Sequence, residues 1–285
     1  SKIRYVLIEN KRSPLISIDI WCKGGILFEK RNKAGVAHFL EHMIFKGSNE
    51  LKPGEFDFKI ESLGGSSNAS TGYDDVHYCV VIPPKNFYEA LSLLTNLVFQ
   101  PNLTLKEFNL EREVIVEEIK QQNDQPEEIL FNYFLQRFWK NNIYGKSILG
   151  NEKQLEKLNI YDLEEFHRKN YSSENSCIAI AGNLPKDICK VLNEYKIKFE
   201  DSTYSPNKKI YHLKKSLRFG REDMVFKRLN LSRILIAWEI SSSRDYKTIL
   251  GFEMLASLLV DGRDSVLKKP LKEEENLVES INIDI

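Results

Sequence analysis

The chain has 285 residues, with 41 basic and 41 acidic side chains and a formal net charge of zero. This balance argues against a nucleic-acid partner and offers no overall charge for a membrane surface. No apolar run approaches the ~18–20 residues of a membrane-spanning helix, and a hydrophobic content of 42% is enough for a core. The length favours two domains.

In chain order, the first half of the sequence alternates short strands with helices. Residues Ile16–Cys22 alternate apolar and polar side chains, which is typical of a half-buried strand. The preceding Arg4–Glu9 is also strand-like, and we predict that the two form a hairpin. Further predicted strands are residues 68–70, 76–82 and 177–181, and further predicted helices are residues 54–62, 86–98, 103–122, 127–139, 160–170 and 187–195. This order predicts an α+β fold, with an antiparallel or mixed sheet packed against helices.

A polar, basic stretch separates this region from the rest of the chain. We interpret residues 205–222 as a linker between a domain at 1–204 and the start of a second domain at 223–285. The second region repeats the strand–helix order of the first, with predicted strands at 232–240 and 277–283 and predicted helices at 247–260 and 264–274.

Two histidines and a glutamate share one face of the predicted helix that follows Gly35. His42 lies about 40° around the helix axis from His38, and Glu41 lies about 60° to the other side. Two imidazoles so placed can hold one Zn²⁺, and the neighbouring carboxylate can then act on a water. The order His-x-x-Glu-His is the inverzincin signature. The alternative is a solvated helix with two histidines, which the many apolar neighbours disfavour.

Such a metal site needs a third protein ligand, and the helix predicted at 103–122 offers the best acids. Glu107, Glu111 and Glu118 fall within about 40° of one another on this helix, beside apolar positions. Carboxylates in an apolar stripe are costly unless they are paired or bind a metal. Glu111 and Glu118 are about 10.5 Å apart along the axis, so one is expected to bind the metal and the other to support it. A solvated Glu118 is the alternative.

These segments resemble the pitrilysin-type (M16, inverzincin) zinc metallopeptidases, the family that includes insulin-degrading enzyme and mitochondrial processing peptidase. The resemblance is carried by residues 35–47, which hold the histidine motif, and by residues 111–119. Residues 64–71 and 178–183 match in the same order, so the similarity covers about residues 1–185. The family fold is a repeated α+β unit, and the resemblance implies one complete repeat followed by an incomplete second one.

The resemblance also implies roles for individual residues. His38, His42 and Glu118 match the ligands of one Zn²⁺ per catalytic domain. Glu41 matches the general base, and Glu111 matches a helper glutamate that orients the ligands or holds Glu41 and the attacking water. The strand at residues 67–71 matches the one that pairs with extended substrate. It holds Ser67, Asn68, Ala69, Ser70 and Thr71.

The similarity continues more weakly into the second repeat, at residues 262–267 and 277–281. Some family members carry an Arg and a Tyr there that contact substrate opposite the zinc. The matching positions in this chain are Lys272 and Glu279. The resemblance therefore implies that the facing half comes from the remainder of a longer chain or from a partner subunit.

The sequence thus predicts a zinc-dependent endopeptidase that cleaves extended or unfolded peptides with a metal-activated water. One alternative is a non-catalytic relative that acts as a structural or partner-binding subunit. A structural zinc site is disfavoured because such a closed site needs four protein ligands. Family members occur in bacterial envelopes, organelles and cytosol. The richness in Lys, Asn and Ile indicates an AT-rich genome and favours a bacterial source. The sequence leaves the compartment of this expected soluble protein open among the bacterial periplasm, the cytoplasm and an organelle.

The other cysteines and histidines, whose side chains could in principle bind a metal, are predicted to have structural roles instead. No two cysteines have Cys-x-x-Cys spacing, so free thiols are expected. The three other histidines are expected at core, edge or linker positions. These residues are Cys22, Cys79, Cys177, Cys189, His77, His167 and His212.

Overall fold

The computed structural model describes residues 3–140, 142–197, 199, 217–218, 220–225 and 232–285. The chain divides into two compact units, Ser1–Leu231 and Ser232–Ile285. Most of the predicted linker at 205–222 lies outside the described residues, and so does His212. The strands are β1 Arg4–Glu9, β2 Ile16–Cys22, β3 Ser66–Thr71, β4 Val76–Ile82 and β5 Ser176–Gly182. The helices are α1 Val36–Ile44, α2 Glu55–Ser62, α3 Phe87–Phe99, α4 Leu105–Asp124, α5 Pro126–Phe138, α6 Glu152–Leu155, α7 Ile160–Asn170, α8 Ile188–Glu194 and α9 Tyr246–Val260.

The first unit contains a mixed sheet of five strands in the order β1-β5-β2-β4-β3. This confirms the α+β class. The predicted hairpin of β1 with β2 is wrong, because β1 pairs in parallel with β5, from Arg4 opposite Cys177 to Glu9 opposite Gly182. β2 is a central strand with β4 and β5 on its two sides. The turn after β1 continues along β5, where the Asn10 amide donates to the Gly182 carbonyl.

Helices cover one face of this sheet and form the core with it. Inward residues of the central strands, such as Ile18 and Ile180, are fully buried. α1 contributes Phe39, whose ring stacks at 4.7 Å on Phe108 of α4. Burying one aromatic side chain of this kind contributes about 1.5–3 kcal/mol. The stack therefore fixes α1 against α4, which are the two helices that carry the predicted metal ligands.

Close backbone packing holds the segment that leads into α1. A Cβ added at Gly25 would lie 2.5–2.6 Å from backbone atoms of Gly72, Tyr73 and Asp75, in the turn between β3 and β4. Only glycine fits at this contact.

Gly25→Ala should therefore lower the free energy of unfolding by ~1–3 kcal/mol, the usual cost of overpacking. Gly251→Ala is the matched control, because its Cβ would meet no described atom within 4 Å and the site lies inside α9. Urea unfolding should show the control at or slightly above wild-type stability, by up to ~1 kcal/mol. Equal stability of the two variants would contradict this explanation.

The second unit contains α9, as predicted, but differs elsewhere from the sequence pattern. The predicted strands at 232–240 and 277–283 are not strands, because the described part of this unit supplies no paired strand for them. The helix predicted at 264–274 is limited to a π-helical turn at Lys269–Glu274. Pro270 lacks an amide hydrogen, and its carbonyl accepts from Glu275 at 3.0 Å.

Among the described residues, no helix combines the length and apolarity that crossing a bilayer would require.

Candidate metal centre

α1 places both motif histidines on one side of the helix. Gly35 begins it in the left-handed conformation, with φ of 89°. Its apolar side chains pack inward, which leaves the His38–His42 face directed at α4. The two imidazole centroids are 4.6 Å apart, as expected for residues one turn apart.

α4 brings a carboxylate to this pair. The helix begins at Thr104, whose side chain caps it by accepting from the Glu107 amide. Glu118 Oε2 lies 3.9 Å from His38 Nε2 and 3.7 Å from His42 Nε2. One ligand atom from each of these three residues lies within 4.8 Å of the others, and within the described residues this is the group with metal-binding geometry.

Glu111 supports this group instead of joining it. Its Oε1 accepts from His42 Nδ1 at 2.9 Å, and its Oε2 accepts from Lys46 Nζ at 2.7 Å. The proton at Nδ1 leaves the lone pair on Nε2, where a metal would bind. Burial of Glu111 opposes its charge, but the bonds from His42 and Lys46 outweigh this and lower its pKa. Sequence reasoning missed Lys46. Its position one turn after His42 indicates only that the two side chains share a face, and the contact with Glu111 depends on how α1 and α4 pack.

The charge states of the histidines fit a cation site. Burial, reinforced by the neighbouring His42, lowers the pKa of His38 to about 4, so this imidazole is neutral at neutral pH. Burial also disfavours protonation of His42, but the hydrogen bond and charge of Glu111, together with Glu118, raise its pKa. The acids around His42 thus create a negative potential that favours a metal cation in place of a proton.

The buried Oε2 atom of Glu118 indicates whether these three side chains can accommodate zinc. Glu118 Oε2 is buried and has no hydrogen-bond partner among the described residues, yet it faces both imidazole Nε2 atoms. A polar atom in this state is costly unless a cation occupies the space before it. Tetrahedral zinc at ~2.0–2.1 Å from each donor needs donors roughly 3.3 Å apart. The observed Glu118-to-histidine separations of 3.7 and 3.9 Å are longer than this by about 0.4–0.6 Å, and two nitrogens with one carboxylate oxygen are donor types that suit zinc.

Glu41 lies on the same helix and faces β3. Thr71 at the end of β3 donates its hydroxyl hydrogen to Glu41 Oε2. Burial raises the pKa of Glu41, and the Thr71 bond and the charge of His42 oppose this effect only in part. A raised carboxyl pKa suits a group that takes and returns a proton near neutral pH.

β3 is an edge strand of the sheet, beyond β4. Along it, the side chains of Ser66, Asn68 and Ser70 are exposed, and Thr71 is buried. α1 packs against this strand. The structure therefore brings the strand predicted to pair with substrate next to the predicted metal ligands.

Comparisons with known proteins identify the family. Residues 4–152 match the family described as Insulinase (Peptidase family M16). Residues 157–285 match the Peptidase M16 inactive domain. The chain belongs to peptidase family M16.

Several M16 relatives are named as proteases. The chain is 27% identical to an uncharacterized zinc protease of Rickettsia bellii over 93% of this chain and 63% of that protein. It is 28% identical to the zinc protease PqqE of Helicobacter pylori, over 95% of this chain and 62% of that protein. A probable mitochondrial-processing peptidase subunit beta of Arabidopsis thaliana is 24% identical over 85% of this chain and 46% of that protein. The chain thus spans less than two thirds of the length of these relatives.

A solved structure supports the same fold. The crystal structure of a protease from Helicobacter pylori superimposes with a TM-score of 0.78 at 22% sequence identity, covering 98% of this chain and 69% of that one. Membership of the M16 family confirms the resemblance and the fold class inferred from the sequence.

Proposed function

We propose that this M16 protein is a zinc-dependent endopeptidase, with His38, His42 and Glu118 as ligands of one Zn²⁺. The observation that carries the proposal is the convergence of the three donor atoms within 4.8 Å, beside Glu41. The Glu118 oxygen, which has no hydrogen-bond partner within the described part of the chain, and the neutral His38 support it. The zinc proteases among the relatives support the same reaction class.

Zinc in this position would lower the pKa of a coordinated water toward ~7 and polarise the peptide carbonyl. Glu41 would accept the proton of the attacking water and pass it to the leaving amine. Thr71 would hold the Glu41 carboxylate in one orientation. Glu111, fixed by Lys46, would keep His42 in the tautomer that presents Nε2.

We propose that substrate binds as an added strand along β3. The outer edge of β3 lies away from β4 in the described sheet, so its main-chain groups can pair with an extended peptide. The substrate-binding residues would be Ser67, Asn68, Ala69, Ser70 and Thr71. Main-chain pairing selects for extension more than for sequence, so extended or unfolded peptides are the proposed substrate class.

Removal of the metal tests the proposed reaction. The complete enzyme should cleave an unstructured peptide, lose this activity with a zinc chelator, and regain it after stoichiometric Zn²⁺ is added. A chelator saturated with zinc beforehand is the matched control. Cleavage that continues in metal-free protein, verified by elemental analysis, would reject the zinc mechanism.

We further propose that a facing half, from the rest of a longer chain or from a partner subunit, completes the site. Lys272 and Glu279 support this, because the resemblance matches them to positions at which some M16 proteins carry a substrate-contacting Arg and Tyr. A relative named as a subunit of mitochondrial-processing peptidase supports it as well. Because relatives from bacteria are named as zinc proteases, we also propose a bacterial periplasm or cytoplasm as the compartment.

Residues 1–285 alone should therefore cleave peptide at least ~10²-fold more slowly than the same chain with its facing half, because poorly positioned substrate reacts at about this disadvantage. The measurement is peptide cleavage before and after the facing half is added. Full activity of residues 1–285 would show that no facing half is needed. Inactivity in both states would favour the alternative of a non-catalytic, partner-binding subunit.

A further inference from the structure

Glu29 holds the first turn of α1 from outside the helix. Its Oε1 accepts from the backbone amides of Gly35 and Ala37, each at 3.0 Å. The first amides of a helix have no acceptor within the helix and need one from elsewhere. Gly35, which begins α1, has no side chain to provide it. Glu29 supplies the missing acceptor, and Ala37 directly precedes His38.

The segment that carries Glu29 is also attached to the far side of the site. The amide of Ile26 donates to the Gly72 carbonyl at 3.2 Å, and the amide of Leu27 donates to Tyr73 at 2.9 Å. Gly72 directly follows Thr71, which contacts Glu41. The segment 25–29 therefore connects the beginning of α1 to the end of β3.

We propose that Glu29 is a positioning residue for the metal centre, which fixes the first turn of α1 and thereby His38 relative to β3 and Glu118. The inference rests on the proposed function, since it assumes that His38 binds zinc. Metal–ligand distances tolerate only about ±0.2 Å. His38 Nε2 lies 3.9 Å from Glu118 Oε2, so even a small rotation of α1 would alter the separation of these two donors.

The chemistry of Glu29 identifies the right control. Burial raises its pKa to about 7, although the amides of Ala37 and Gly35 and the charge of Lys146 oppose this. Both the neutral and the charged side chain offer Oε1 as an acceptor. Gln keeps this acceptor at the same length, whereas Asp is shorter by one methylene and Ala has none.

The test compares Glu29→Gln, Glu29→Asp and Glu29→Ala in the full chain, with Glu61→Ala as an exposed control. Zinc affinity is measured by competition with a chromophoric chelator, and hydrogen exchange of the 35–38 amides is measured in metal-free protein. Glu29→Asp and Glu29→Ala should weaken zinc binding ~10–100-fold, as the loss of a supporting contact does, and should speed exchange. Glu29→Gln and Glu61→Ala should match the wild type.

Wild-type zinc affinity in Glu29→Ala, with only a lower melting temperature, would overturn the inference by showing a purely structural role. If the Ala variant does not fold, the Gln and Asp variants decide, and equal affinity in these two would overturn it. If the wild type binds no zinc, the proposed function fails separately. Exchange at residues 35–38 then still tests whether Glu29 fixes the first turn of α1, and identical rates in the Asp and Gln variants would reject that part of the inference.

Discussion

Glu41→Gln in the complete enzyme should reduce peptide turnover by ~10²–10⁴-fold, the range that removal of a general base produces. Gln has nearly the same shape as Glu and can still accept the hydrogen bond from Thr71, so the fold should persist. Its amide cannot take a proton from water at neutral pH. Zinc content should remain at the wild-type value because Glu41 is not a proposed ligand.

The measurement is steady-state cleavage of an unstructured peptide, with zinc determined on the same samples. Glu117→Gln is the matched control, since Glu117 is an exposed acid on α4 that pairs with Lys120. This variant should keep wild-type turnover. Wild-type turnover in Glu41→Gln would mean that another group is the base, and a loss of zinc would mean that Glu41 contributes to metal binding.

Glu118→Ala should weaken zinc binding by more than the ~10–100-fold that the loss of a supporting residue costs. The substitution removes one of three proposed ligands, whose Oε2 is the buried oxygen facing both histidines. Glu111→Ala should weaken binding within that 10–100-fold range. Glu111 acts through the His42 Nδ1 hydrogen and the Lys46 ammonium.

Competition with a chelator ranks the two variants, and circular dichroism establishes that each is folded. If Glu111→Ala abolishes binding while Glu118→Ala retains wild-type affinity, Glu111 is the third ligand and Glu118 has no role at the metal. Equal, small losses in both variants would place the third ligand on another residue.

Local patterns predicted much of the site. The four-residue spacing of His38 and His42 determines their common face, because helix geometry is set by backbone hydrogen bonds between near neighbours. The seven-residue spacing of Glu111 and Glu118 likewise predicted that only one of them could reach the metal. Both helices form where predicted, and α4 spans Leu105–Asp124 where residues 103–122 were predicted. The roles assigned to these residues stay predictions until the variants are measured.

Strand pairing was harder to predict from the sequence, because a strand's hydrogen-bond partners can come from any part of the chain. β1 is close in sequence to β2 but pairs with β5, more than 170 residues away. The alternation of apolar residues identifies a strand and its buried face, and it carries no information about the neighbour. The same reason explains the failed strand predictions at 232–240 and 277–283.

The sequence by itself determined the family, through matching segments over about residues 1–185, and the α+β class, through the order of its strand and helix patterns. The short, helical spacing of the histidines and glutamates predicted the metal ligands. Only the tertiary structure decided how these residues are supported. Three contacts between different elements provide this support. Lys46 binds Glu111, Thr71 donates to Glu41, and Glu29 accepts from amides at the beginning of α1. Such contacts depend on how α1, α4 and the sheet pack together, which no local pattern specifies.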